Sequence, residues 1–156
     1  MPVRRKRLAH SSPTRAFARA KVLAYRTNEP LWWANLAAFY ATGDGTRKNL
    51  SRARRWYLKA ATAGEPCAMY ELGFMYLNGE GGPRYLLRGR KLVAAAARAG
   101  EINALKALSQ AFAHGAWGFP RSVKRAAATR TQLRRVMRAV EGPANNALQR
   151  TRYARR

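Results

Sequence analysis

The sequence predicts an all-α fold, a short array of about three helical hairpins closed at its start by a capping helix. Three observations carry this prediction. Apolar residues and glycines recur at a spacing of 36: Leu36, Leu72 and Leu108; Tyr40, Tyr76 and Phe112; Gly43, Gly79 and Gly115. Within each unit, apolar residues come three and four apart on either side of a glycine-bearing turn, which is the period of an amphipathic helix. A fixed period of that size with a turn in its middle marks a stacked repeat, in which each hairpin buries its apolar side against the next.

At 156 residues the chain holds one domain with a continuous core, and 47% apolar residues set it apart from a disordered chain of similar charge. The charge is the outlier: 31 Lys+Arg against 7 Asp+Glu, or +24. Residues 1–28 hold eight basic side chains and no acid, and residues 121–156 hold eleven with Glu141 as their one acid. The middle, 29–120, holds twelve basic and six acidic. The excess therefore reads as concentrated on the two ends, with mildly basic repeats between. Such a balance attracts nucleic acid, an anionic membrane or an acidic protein. Cys67 is the one cysteine, so no internal disulfide is available and a reducing compartment, the cytoplasm, fits. One Cys with two separated histidines, His10 and His114, makes no zinc ligand set, and no cofactor is expected. No apolar run approaches the ~20 residues of a membrane-spanning helix.

In chain order, Met1 to His10 contains Arg4, Arg5, Lys6 and Arg7 in one run. The segment 1–11 reads as a solvated arm, or as a nuclear-address or phosphate-binding arm. Its acid-free, Arg- and Ser-bearing composition also overlaps that of organelle transit peptides. A capping helix is expected over 12–28, with Ser12 as N-cap and Pro13 in the first turn. Phe17, Val22, Leu23 and Tyr25 would form its apolar side.

The repeat domain is expected over 30–140. The first repeat, 30–65, opens at Pro30, and Trp32, Trp33, Leu36, Phe39 and Tyr40 fall three and four apart. Adjacent tryptophans cannot both point into one core, so Trp32 or Trp33 is a candidate for exposure, for covering the cap, or for self-association. Gly43-Asp44-Gly45 stops this helix. Asn49 or Ser51 caps the next, which continues through Ala53, Trp56, Tyr57, Ala60 and Ala61 to Gly64.

The second repeat, 66–101, is the most regular. Gly73 falls inside its first helix, where glycine costs about 1 kcal/mol relative to alanine, and close helix approach is the reason expected for it. Gly89 in the second helix has no pattern to explain it. The third repeat, 102–140, keeps Ala104, Leu108, Phe112 and Gly115, but Ala116-Trp117-Gly118-Phe119-Pro120 replaces the Gly-x-Gly turn. Arg121 to Val140 reads as the last helix, with Leu133, Val136 and Val140 apolar. Gly142-Pro143 ends it, and 141–156 reads as a basic tail without regular structure.

Ala68, Leu72, Gly73, Tyr76, Gly79 and Gly81, followed by Ala96-Ala97 and Gly100, resemble the Sel-one-like repeat, a family of tetratricopeptide-related helical hairpins. The first repeat resembles it through Leu36, Tyr40, Gly43, Gly45, Ala53, Trp56, Tyr57, Ala60, Ala61 and Gly64. The likeness covers residues 30–101 well and 102–140 loosely; Gly82 and Tyr85 depart from the family's usual residues after the turn. The resemblance implies a right-handed α-solenoid whose first helices line a concave groove for a protein or peptide partner. Separately, Asn145 to Arg152 resembles the C-terminal peptide of many unrelated bacterial reading frames that run into a repeated element, which implies a bacterial, mobile gene.

Catalytic chemistry is not expected. The acids are scattered, and no pair is spaced for acid–base work. His114 abuts the third turn and suits a capping role. Cys67 opens the first helix of the second repeat, as a small buried residue or, alternatively, a reactive thiol. Gly79-x-Gly81 lies between helices without a strand before it, so it is no phosphate loop. Binding remains. By repeat phase the groove positions are Trp33, Asn35 and Ala38, then Met69, Glu71 and Phe74, then Leu105, Ala107 and Gln110. Phe74 and Met69 are the apolar anchors of this set, although Phe74 fits equally well between helices. The other class of partner is nucleic acid or another polyanion, held by the basic ends at Arg4, Arg5, Lys6 and Arg7 and at Arg134, Arg135 and Arg138.

Overall fold

The computed structural model of the protein describes the backbone of residues 13–153 and the side chains of residues 13–142. Arg4, Arg5, Lys6 and Arg7 lie outside the described residues. Within them the elements are α1 (Pro13–Arg26), α2 (Pro30–Thr42), α3 (Leu50–Thr62), α4 (Pro66–Asn78), α5 (Leu86–Arg98), α6 (Ile102–His114), a single 3-10 turn (Ala116–Gly118) and α7 (Val123–Tyr153). Three hairpins, α2–α3, α4–α5 and α6–α7, stack in chain order, and α1 lies against α2 as the cap. The helical array predicted from the 36-residue recurrence is the fold observed.

The helices begin and end where local chemistry dictates. Pro30 and Pro66 open α2 and α4 at the position where a missing N–H costs nothing. Gly43, Gly79 and Gly115 close α2, α4 and α6 in the left-handed conformation, each returning its N–H to the last turn. Asn49 is the N-cap of α3, its side chain accepting from Arg52 N–H at 2.9 Å. The hydroxyl of Ser51 instead donates to the Gly81 carbonyl of the next turn, at 3.3 Å.

The recurrence extends to single backbone bonds. Asn49 N–H donates to the Tyr40 carbonyl at 2.7 Å, and Tyr85 N–H to the Tyr76 carbonyl at 2.8 Å. In the third hairpin the donor to the Phe112 carbonyl is Ser122, so that turn is one residue longer. In the first two turns the second glycine, Gly45 or Gly81, has positive φ and lies directly on the start of the preceding second helix, against Pro13 or Leu50. Trp117 occupies that slot in the third turn. It keeps the left-handed backbone (φ 52) without being glycine, and its ring cannot enter the glycine's space.

The core follows the same register. Leu36, Leu72 and Leu108 are buried along the array, with Ala60-Ala61 and Ala96-Ala97 packed beside them. Burying a leucine side chain of this kind stabilises the fold by about 1.5–3 kcal/mol. Gly89 finds its account here. A methyl on it would stand 2.8 Å from the Gly73 carbonyl oxygen, and one on Gly73 would stand 3.1 Å from the Gly89 carbonyl oxygen. The two glycines are the crossing point of α4 and α5. The same slots hold Ala37 and Ala53 in the first hairpin, and in the third Ser109 donates to the Ala126 carbonyl at 3.3 Å.

At the ends the structure departs from the expected apolar sides. In α1 the stripe facing α2 is Phe17, Ala20 and Ala24, while Val22 and Tyr25 are 51% and 68% exposed. Small residues let α1 lie close to α2, and the helical phase then turns positions 22 and 25 outward. Trp33 seals this junction: it is buried, and its Nε1–H donates to the Ala24 carbonyl at 2.9 Å. In α7, Leu133 and Val136 face the core but Val140 is 72% exposed. The helix breaks at Gly142 (φ 55, ψ 163) and resumes to Tyr153, where composition argues for no regular structure. Pro143 suits the first position of a helix, and Ala, Leu, Gln and Arg behind it are good helix formers.

Candidate functional site

The first helices, α2, α4 and α6, form one face. Burial divides the expected groove positions into two groups. Trp33, Met69 and Leu105 share a slot that points into the joints between hairpins: Trp33 and Leu105 are buried, and half-buried Met69 touches the cores on both its sides. These three are packing residues and do not belong to the groove. Ala107 is buried as well. Asn35, Glu71 and Phe74 are half-buried and Gln110 is exposed, so these reach the surface of the first helices.

Phe74 is not an open anchor. Its ring lies between Tyr70, at 6.3 Å between centroids, and Trp117, at 6.1 Å and edge-on. The lengthened third turn thus folds its tryptophan back over the second hairpin. Beside Phe74 the carboxyl of Glu71 is pushed above its ordinary value by burial first, then by Glu101 and Glu80. Cys67 is exposed rather than buried. Desolvation on its packed side, then Glu71, Glu101 and Glu65, hold its thiol above the ordinary range, opposite to what a reactive thiol requires. Among the described residues no three His, Cys, Asp or Glu side chains gather as a metal site would need. None of the described helices is long and apolar enough to cross a membrane.

The cap and the second helices carry the charge. Lys and Arg number four on each of α1, α3 and α5 and six on α7 as far as Gly142. Across α2, α4 and α6 together there is one, Lys106. No acid stands on α1, α3 or α5. Some of these cations have structural duties. Arg54 donates to the Glu80 and Pro83 carbonyls at 3.3 and 2.9 Å while lying 4.4 Å over the Tyr76 ring. Arg90 covers Phe119 at 4.6 Å. Others line furrows between successive second helices. The furrow between α1 and α3, about 550 Å³, has Tyr40 as floor and Lys21, Tyr25, Arg52, Arg55, Trp56 and Lys59 as walls. One period on, between α3 and α5, a furrow of about 430 Å³ has Tyr76 as floor with Arg88, Lys91 and Leu92 in the places of Arg52, Arg55 and Trp56.

Residues 34–65 and 68–101 each match the model of the Sel1 repeat. These two hairpins are Sel1 repeats. Among solved structures, a Sel1 repeat protein from Oxalobacter formigenes superposes with a TM-score of 0.72 at 23% identity, over 78% of this chain and 48% of that one. A protective antigen present in uropathogenic Escherichia coli strains, displaying an SLR fold, superposes with a TM-score of 0.68 at 22% identity, over 77% of this chain and 25% of that one. At such identity the likeness carries the fold alone, and the chain spans about half and about a quarter of these two proteins. No curated protein matches the chain.

The third hairpin lies outside the two Sel1 matches, in keeping with its longer turn and Trp117. Arg134, Arg135 and Arg138 are exposed on its α7. They continue a basic face that begins at α1, so the positive charge follows the cap and the second helices of the array and is not confined to its ends. Charge summed over segments of sequence hides that alternation. Counted helix by helix, the same residues show it.

Proposed function

We propose that the protein is a non-catalytic scaffold that holds a protein or peptide partner along its first helices. The observation that carries this is the scarcity of cations on that face: α2, α4 and α6 present Asn35, Glu71 and Gln110 with Lys106 as their one cation, while every neighbouring helix is strongly basic. The two Sel1 repeats support the same reading. A partner with polar and apolar side chains and little negative charge suits this surface, since Glu65, Glu71 and Glu101 stand along it. The single exposed cysteine, Cys67, is consistent with a cytoplasmic setting.

The test is affinity capture from the native cell with the Asn35→Arg/Gln110→Arg variant, which alters one half-buried and one exposed position and leaves the buried core residues untouched. Loss of the captured partner at unchanged helicity is the expected result. Equal capture by variant and wild type would refute the assignment to this face.

A further inference from the structure

We propose that the furrow between α1 and α3 binds single-stranded nucleic acid, with a base stacked at Tyr25 and Trp56 and phosphates held by Lys21, Arg52 and Arg55. This site lies on the second-helix side and does not depend on the scaffold function proposed above. It starts from a side chain that folding leaves largely in solvent. Tyr25 is 68% exposed, yet its ring stands edge-on to Trp56 at 5.2 Å between centroids, with Trp56 itself half-buried. The pair forms an open aromatic corner in a cleft of about 550 Å³ whose other walls are cationic. Aromatic faces beside a track of Lys and Arg are what unpaired bases and their phosphates need: stacking holds the base, and the cations follow the backbone.

Not every cation in the furrow serves equally. The ammonium of Lys59 lies 4.0 Å from the Trp33 ring centroid and stabilises the joint beneath. Arg52 rests 5.6 Å from the Tyr40 ring and lines the cleft. Lys21 and Arg55, exposed on opposite walls, complete the track. The neighbouring furrow keeps the cations as Arg88 and Lys91 but has Ala61 and Leu92 where Tyr25 and Trp56 stand. It extends the phosphate path without offering a second aromatic corner. The whole face, acid-free on α1, α3 and α5, matches a ligand of dense and regular negative charge. A run of Asp and Glu would supply charge but nothing to stack, and a duplex would keep its bases out of reach of Tyr25.

The experiment is fluorescence anisotropy of the full chain with a labelled oligothymidylate, repeated with a duplex of equal length and with polyglutamate as competitor. Two variants are compared with wild type. Tyr25→Ala/Trp56→Leu rebuilds the furrow as its image one period on, and Tyr25→Ala alone removes an exposed side chain. Loss of one stacked base should weaken binding roughly 5- to 150-fold at unchanged salt dependence. Arg52→Gln/Arg55→Gln should instead flatten the slope of log affinity against log salt by about 0.7 for each phosphate no longer held. Wild-type affinity in the Tyr25→Ala variant would overturn the proposal. So would equal or tighter binding of the duplex, or equal competition by polyglutamate.

Discussion

Placing a methyl group at Gly89 tests the crossing on which the second hairpin is built. In Gly89→Ala the new carbon would stand 2.7 Å from Leu77 Cγ and 2.8 Å from the Gly73 carbonyl oxygen. Leu77 is fully buried, and the carbonyl belongs to the backbone of α4, so neither can yield without moving a helix. Overpacking of this kind costs about 1–3 kcal/mol, and the upper part of that range applies because the obstacle is backbone. Alanine recovers about 1 kcal/mol through its better helix propensity. The net destabilisation is then about 1–2 kcal/mol, or roughly 3–8 °C in Tm for a chain of this size. Gly73→Ala is the internal comparison. Its methyl would stand 2.9 Å from Val93 Cγ2 and 3.1 Å from both the Gly89 carbonyl oxygen and Val93 N, looser contacts with backbone than those at Gly89, so its net cost should be the smaller of the two. Urea unfolding followed by far-UV circular dichroism separates the two. If Gly89→Ala were as stable as wild type, or less harmful than Gly73→Ala, the backbone contact inferred at this crossing would be wrong.

Substitutions at two further positions probe the first-helix face and the turn folded over it. Glu71 has a folded-state pKa above its ordinary 4.5, so its ionised form costs the fold stability, and the cost accrues as pH rises from 4.5 through the raised value. Glu71→Gln should therefore raise the urea midpoint at neutral pH, with the gain fading once pH falls below 4.5; a midpoint unchanged or lowered at neutral pH would contradict it. At position 117 the backbone is left-handed, a conformation glycine adopts freely. Trp117→Gly should be about 1 kcal/mol more stable than Trp117→Ala, with both below wild type because neither can pack against Phe74; the reverse order in the same unfolding assay would refute the slot assignment.

The fold was legible because a repeat states its rules several times. Leu36, Leu72 and Leu108 announce the core, and Gly43, Gly79 and Gly115 announce where first helices stop, since no single unit has to carry the signal alone. The direction in which a side chain points was harder to read. Trp33, Met69 and Leu105 occupy equivalent positions, but whether that position meets solvent or the next hairpin depends on how hairpins stack, which helical periodicity does not specify. Asn35, Glu71 and Gln110 stand at other phases of their helices and fall on the outer side. Tyr25 was expected in the cap's apolar side for a related reason: an aromatic in a short helix reads as core until smaller residues of the same helix, Ala20 and Ala24, take that role. Gly89 could not be explained from its own helix because its reason lies in Gly73, on the other helix of the hairpin.

The separation of charge by alternate helices has a consequence for how such a protein can grow. A duplication of one 36-residue unit inserts one neutral helix and one basic helix together. The two faces lengthen in step, and neither can be extended without the other. Selection for a longer grip on one kind of partner would then carry along a longer surface for the other kind. Substitutions at the edges, such as Trp56 against Leu92 in equivalent places, are the means by which one face can be tuned while its opposite is left as it was.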